Sequence, residues 1–243
     1  MKMAAEIQPI PGALPETVPR QSNRKAVLLA KIEVSLSPIN DAVFLPDGNR
    51  IITASDDKLV RIWQKKDSGG YWPCLSHSMP SPPTSVHFDA AMELLFVGLD
   101  NGTVSELQLG DDTKQVMLRR TYLAHQLRVT AVCFTASNEW LLSISRDKYF
   151  QFLDEHHLRY DEASNHAFVG DYSGEVHMLR LEKGEGGAEV TFVTSFKGHD
   201  GSIQSLAWDP VQKLLFSGSA DHSIIVWDIG SQKGTAYELQ GHQ

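Results

Sequence analysis

The stretch that decides the fold is Gly198-His199, followed by Ser205-Leu206-Ala207-Trp208, Leu215-Phe216-Ser217-Gly218-Ser219-Ala220-Asp221 and Ile224-Ile225-Val226-Trp227-Asp228. An apolar strand runs into small residues, an aspartate marks a tight turn, and a second strand follows that ends in Trp227-Asp228. This is two antiparallel strands whose turn aspartate accepts backbone hydrogen bonds. The segment ending in Trp208 reads as a third strand upstream, and four short strands of this kind complete one antiparallel sheet.

Working outward, the same pattern recurs four more times. The first copy reads Ile51-Ile52-Thr53-Ala54-Ser55-Asp56-Asp57 and leads to Trp63, and the second reads Leu95-Phe96-Val97-Gly98-Leu99-Asp100 and leads to Leu107. The third runs Leu141-Leu142-Ser143-Ile144-Ser145-Arg146-Asp147 to Phe152, and the fourth Ala167-Phe168-Val169-Gly170-Asp171 to Leu179. Upstream strands ending in an aromatic recur at Ala42-Val43-Phe44 and Thr130 to Phe134, and Glu189 to Phe196 reads as an outer strand. No helical period of 10 to 15 residues interrupts residues 31–243, which argues against an α/β enzyme fold.

Spacing exposes an irregularity. Successive turn aspartates lie 40 to 50 residues apart except between Asp147 and Asp171, where the interval is 24. About 20 residues are missing from what four strands require. The expectation is that the outer strand of the third unit and most of the first strand of the fourth are absent, with Asp154-Glu155-His156-His157-Leu158 a junction lacking strand alternation. Gly241-His242-Gln243 resembles the opening of a sixth unit.

The pattern resembles the WD-repeat family of β-propellers, whose unit opens near Gly-His and closes with Trp-Asp. The expected fold is therefore all-β: a partial propeller over residues 26–243 with about five blades, one interrupted, and an incomplete ring. Residues 1–25, rich in proline, read as a disordered leader, and Ala26 to Ile32 reads as a closing strand. The resemblance implies that His199, Ser217, Asp221 and Trp227 form a structural hydrogen-bond chain within one blade. The first unit matches at Thr53, Asp57 and Trp63, and the third at His125, Ser143 and Asp147 with Phe152 in place of tryptophan. The second and fourth units retain little beyond Asp100 and Asp171.

Longer stretches, including Met3 to Pro9, Lys66 to Pro73, Gly98 to Thr103, Val169 to Gly174 and Trp208 to Gln212, are similar to the WD-repeat and FYVE-domain-containing proteins. That resemblance implies a seven-bladed platform for signalling kinases and vesicle proteins. It also implies a zinc-binding FYVE domain that binds phosphatidylinositol 3-phosphate on early endosomes. The cysteines of a FYVE finger are not in this chain, so direct membrane binding is not expected of it.

Composition narrows the function classes. Thirty acidic against 22 basic residues give a net charge of -8, which repels nucleic acid. The only two cysteines, Cys74 and Cys133, have neither disulfide-framework nor zinc spacing, and a cytoplasmic setting is the default. The trio His199, Ser217 and Asp221 contains the residue types of a hydrolase triad but lacks a nucleophile elbow. His156-His157 are adjacent and would point to opposite faces of a strand, unlike metal ligands sharing one site. No catalytic residue, metal or cofactor is expected. Tyr71 and Trp72, read as lying in a loop after Asp67-Ser68-Gly69-Gly70, are candidate partner contacts, because aromatics dominate interface energetics. The expected function is a non-catalytic protein-interaction scaffold, related by resemblance to endosomal signalling and vesicle traffic. The alternatives are a truncated or splice-derived form with impaired folding, or a phosphoinositide-directed adaptor when joined to a FYVE domain.

Overall fold

Each repeat becomes an antiparallel meander, because its alternating side chains must bury both faces of a sheet whose strands are joined by tight turns. The computed structural model describes residues 6–8, 31–32, 37–110, 115–137, 139–146, 155–184, 187–230 and 234–240. In chain order, β1 (Glu6–Gln8) precedes a first blade of β2 (Ile39–Phe44), β3 (Arg50–Ser55), β4 (Leu59–Lys65) and β5 (Tyr71–Ser78). The second blade is β6 (Pro83–Asp89), β7 (Leu94–Leu99), β8 (Val104–Leu109) and β9 (Val116–Tyr122). The third consists of β10 (Val129–Thr135) and β11 (Trp140–Ser145) alone among the described residues. The fourth comprises β12 (Glu155–Asp161), β13 (His166–Asp171), β14 (Glu175–Gly184) and β15 (Gly187–Lys197). The fifth comprises β16 (Ile203–Asp209), β17 (Leu214–Ser219), β18 (Ser223–Asp228) and β19 (Gly234–Gln240), with β1 added antiparallel to β19. The architecture is all-β, a partial propeller.

The blades are held by apolar clusters lying between neighbours. Ile52, Ile62, Val97 and Leu107 join the first two blades, and Phe96, Val104, Val129 and Val132 join the second and third. Ile144, Leu158, Val169 and Leu181 join the third and fourth, and Phe168, Ile203, Leu215 and Trp227 the fourth and fifth. Each fully buried side chain of this size contributes about 1.5–3 kcal/mol, so a blade depends on its neighbours for most of its stability.

Two backbone devices repeat around the arc. All five inner strands begin with a bulge, between Ile39 and Asp41, Pro83 and Ser85, Val129 and Ala131, Glu155 and His157, and Ile203 and Ser205. A bulge adds twist and re-aims the side chains that follow it. The turns leading into β4, β8, β14 and β18 each place one residue in the left-handed region: Lys58, Gly102, Gly174 and His222. At Gly174 a side chain would strike the backbone of His199, so this turn is seated against the loop that opens the next blade.

Several sequence expectations require correction. Glu155–Asp161 is no junction: it is β12, the inner strand of a complete fourth blade. Leu158 and Tyr160 of that strand face the apolar cluster shared with the third blade, an alternation masked in sequence by the paired histidines. Among the described residues, only the third blade has fewer than four strands. Tyr71 and Trp72 open strand β5 and pair with Lys65 and Gln64 instead of lying in a loop. Within the stretch expected to be disordered, Glu6–Gln8 form the edge strand of the fifth blade. The expected closing strand at 26–32 lies outside the described residues except for Lys31 and Ile32, which are not in a strand, and Gly241 to Gln243 lie outside them altogether.

Candidate protein-interaction surfaces

The fifth blade brings His199, Ser217, Asp221 and Trp227 together. Trp227 Nε1 donates to Ser217 Oγ at 2.8 Å, Ser217 Oγ lies 2.8 Å from His199 Nε2, and His199 Nδ1 lies 2.9 Å from Asp221 Oδ2. A carboxylate can only accept, so the proton sits on Nδ1 and Nε2 accepts from the serine hydroxyl. Burial works against ionisation of Asp221. Hydrogen bonds from the Ser223 hydroxyl and backbone N–H, from His199 and from the Asp200 N–H outweigh it and lower its pKa to about 2. The order serine, histidine, aspartate is that of a hydrolase triad. Here the serine is fully buried and its oxygen is held by an indole N–H, so the chain ties four elements of one blade together instead of presenting a nucleophile.

The other units contain parts of this chain. In the first, Trp63 Nε1 donates to Thr53 Oγ1 at 2.8 Å, while Asp57 accepts from the Leu59 N–H at 3.1 Å and from Arg61 at 2.5 Å. In the third, His125 Nε2 and Ser143 Oγ are 2.9 Å apart. Asp147 and Phe152 lie outside the described residues. Measured from the left-handed turn residue, Asp57, Asn101, Ser173 and Asp221 are equivalent, so Asp100 and Asp171 stand one and two places earlier than the sequence pattern assumed. Asn101 Oδ1 accepts from the Thr103 N–H at 3.2 Å, and Asp100 instead binds Arg128 at 3.0 Å. Asp171 reaches forward from the end of β13 to accept from the Glu175 N–H at 2.7 Å and contacts His177 at 3.2 Å. It serves the turn from the strand because serine occupies the turn position.

Tyr71 and Trp72 lie at the outer rim of the first blade. Trp72 is 45% exposed, and Lys66 Nζ stands 5.7 Å from its ring centre.

The sequence reading missed the axis of the arc. The inner strands of the first four blades surround a cavity of about 450 Å³. Asp41, His87, Cys133 and Arg159 line it, one from each blade. Burial pushes the Asp41 carboxyl up against the opposing backbone N–H groups of Val86 and Ala42 and the charge of Arg159. Burial pushes His87 down and Cys133 up to about 11. An exposed arginine thus faces a set of groups biased toward neutrality. The repeated bulge is what aims these side chains at the axis, and a bulge leaves no mark in a hydrophobic pattern.

Blade-to-blade hydrogen bonds flank this cavity. Asp41 Oδ2 accepts from the Val86 N–H at 2.9 Å, and Thr84 Oγ1 donates to the Val129 carbonyl at 2.6 Å. Glu162 accepts from Thr135 at 3.0 Å, and neighbouring Asp161 receives Lys213 at 3.4 Å. One turn therefore ties the fourth blade to both of its neighbours.

Comparison with known proteins agrees with this geometry. The WD domain, G-beta repeat family matches residues 27–64, 117–154 and 190–228. WD repeat and FYVE domain-containing protein 2 of mouse is 44% identical over 98% of the chain, and WD repeat and FYVE domain-containing protein 1 of mouse 41% over 99%. The Caenorhabditis elegans protein 2 is 35% identical over 90%. The chain spans about 60% of the length of these mouse relatives. The match to mouse protein 2 extends over 254 residues, against 243 in the chain, so the relative carries residues that this chain lacks inside the matched stretch. Among solved structures, Sqt1 from Chaetomium thermophilum shares the fold with a TM-score of 0.65 at 18% identity, over 86% of this chain and 60% of that one. The chain belongs to the WD-repeat β-propeller family and resembles the branch whose members also carry a FYVE domain.

Proposed function

We propose that the chain is a non-catalytic scaffold for other proteins, acting in endosomal signalling and vesicle traffic. The observation that carries the scaffold reading is the axial cavity, built from inner strands of four different blades locked together by hydrogen bonds. A concavity held by hydrogen bonds between its walls, with fixed polar groups set among apolar ones, is a usual form of binding site. Arg159 equips it for a carboxylate-bearing peptide segment. The setting in endosomal traffic draws support from the FYVE-containing relatives, and the bound proteins would be of the signalling-kinase or vesicle class.

Affinity capture with the full chain and an Arg159→Glu variant tests this reading, with thermal melting measured on both. The expected result is specific partners lost with the charge reversal while melting is unchanged. A partner set identical for the two proteins would remove the cavity from the interaction, and enrichment of nuclear proteins in place of vesicle proteins would overturn the endosomal setting.

A further inference from the structure

The axial cavity has two ends, and they are built differently. Two residues past each bulge stand Val43, His87, Cys133 and Arg159, one to a blade, so these four form a ring across the cavity. Asp41 lies two residues closer to the loops that open the blades. Arg159 is two residues from the end of β12 at Asp161 and four from its start at Glu155, which puts it about 7 Å from the inner turns and about 13 Å from the opening loops. The acids of those turns act on the ring: His87 feels the charge of Asp89, and Cys133 that of Glu162.

At the loop end a polar strap crosses the opening. Arg128, which leads into the third blade, donates to Asn40 Oδ1 of the first at 3.3 Å and to Asp100 Oδ1 of the second at 3.0 Å. Asn40 Nδ2 in turn donates to Asp56 Oδ1 at 2.7 Å and to the Pro83 carbonyl at 2.8 Å. At the turn end the bonds run between adjacent blades, from Thr135 to Glu162 and from Lys213 to Asp161. Other polar groups of the lining are already spent: Asp41 on two backbone N–H groups, Thr84 on the Val129 carbonyl, Tyr160 on Asn165. Arg159 differs. It is exposed, and among the described residues its guanidinium bonds only the Leu158 carbonyl, through Nη1 at 2.8 Å, which leaves most of its N–H donors for a ligand.

We propose, resting on the scaffold reading above, that the partner docks on the face formed by the inner turns, Ala90 to Glu93 and Glu162 to Asn165 among them, and inserts one aspartate or glutamate side chain to Arg159. A chain lying on that face meets the guanidinium about 7 Å inside, and a carboxylate takes two parallel N–H bonds from it. From the loop face the same carboxylate would have to pass the strap and then Asp41. A phosphorylated residue fits less well. It carries a charge close to -2 and would sit among Asp41, Asp89 and Glu162 with a single arginine to balance it. Like charges brought together at a docked surface cost affinity, so the site selects the monoanion.

The test is made on the full chain by nuclear magnetic resonance, with a nitroxide bearing a carboxylate as the probe and a neutral nitroxide as its control. The carboxylate probe should broaden the amides of Ala90, Ala91 and Ala163, all exposed on the turn face, more strongly than the neutral one does, and the two should affect Arg128 and Asp100 alike. Arg159→Gln should abolish the difference, whereas Arg128→Ala, which cuts the strap, should leave it unchanged. A capped peptide with one glutamate among glycines, titrated to about 10 mM, should shift the Arg159 Nε resonance. Its glutamine counterpart should bind about tenfold more weakly, and its phosphoserine counterpart no more tightly than the glutamate peptide. The proposal is overturned if preferential broadening falls at Arg128 and Asp100, if the two nitroxides act alike at both ends, or if phosphoserine binds more tightly. Broadening at the loop end that still requires Arg159 would leave the cavity standing as a binding site and remove only the face assigned here.

Discussion

The fifth and third blades are built from the same opening motif, and they end differently. In the fifth, a glycine and histidine, a serine strand, an aspartate turn and a tryptophan strand close on one another, so that no polar member of the chain is left without a partner. In the third, the histidine meets the serine and the sheet goes no further among the described residues. The difference teaches that the histidine to serine contact belongs to the inner half of a blade, whereas in the fifth blade the tryptophan ties the third strand to that inner half.

The sharpest way to break this comparison is to remove the tryptophan from the blade that has it. Trp227→Ala should cost about 3–5 kcal/mol, the range for deleting a buried aromatic, because the ring packs on Phe196 and its N–H leaves Ser217. Urea unfolding reads this directly. A loss below about 1 kcal/mol would mean that the outer strands hold without it.

A matched pair of serine substitutions comes next. Ser217→Ala strands the Trp227 N–H and a ring nitrogen of His199 in a buried setting and should cost about 2–3 kcal/mol, whereas Ser143→Ala, half-buried and facing one partner, should cost about 0.5–1 kcal/mol. Equal costs would show that the two blades are equally closed.

The smallest effect is one of acidity. Asp221 has its folded pKa lowered to about 2 from an ordinary value of 3.8. A lowered carboxylate stabilises the fold at pH values above its ordinary pKa, and the contribution fades as pH falls through about 4 toward 2. It amounts to about 1–2 kcal/mol. Denaturation at pH 6, 4 and 2.5 should show this loss in the native chain, and Asp221→Asn should remove that part of the pH dependence. An unchanged slope in the variant would assign the acid sensitivity to other carboxylates.

Much of this architecture was legible because a repeat amplifies weak signals: one alternating strand is ambiguous, and five at matching spacing are not. Ser217 and Trp227 could be paired on paper because they lie on adjacent strands of one hairpin. The misplacement of Asp100 and Asp171 came from treating the nearest aspartate as the turn residue, when asparagine and serine fill that position in those blades and can accept or donate in the same way. His156-His157 interrupts the apolar alternation by which β12 would show in the sequence, and Gly69-Gly70 gives the stretch leading to Trp72 the composition of a loop.

By itself the sequence determined that the chain is all-β, that its units repeat, that one unit is short, and that serine, histidine, aspartate and tryptophan recur at fixed offsets. These are local properties, set by side-chain period and turn chemistry over a few residues. Which blade has two strands among the described residues, which side chains bulges aim at the axis, and that Asp41, His87, Cys133 and Arg159 share one cavity were decided only by the tertiary structure. They depend on how separate sheets pack side by side, and nothing within a single repeat encodes the face that its neighbour covers.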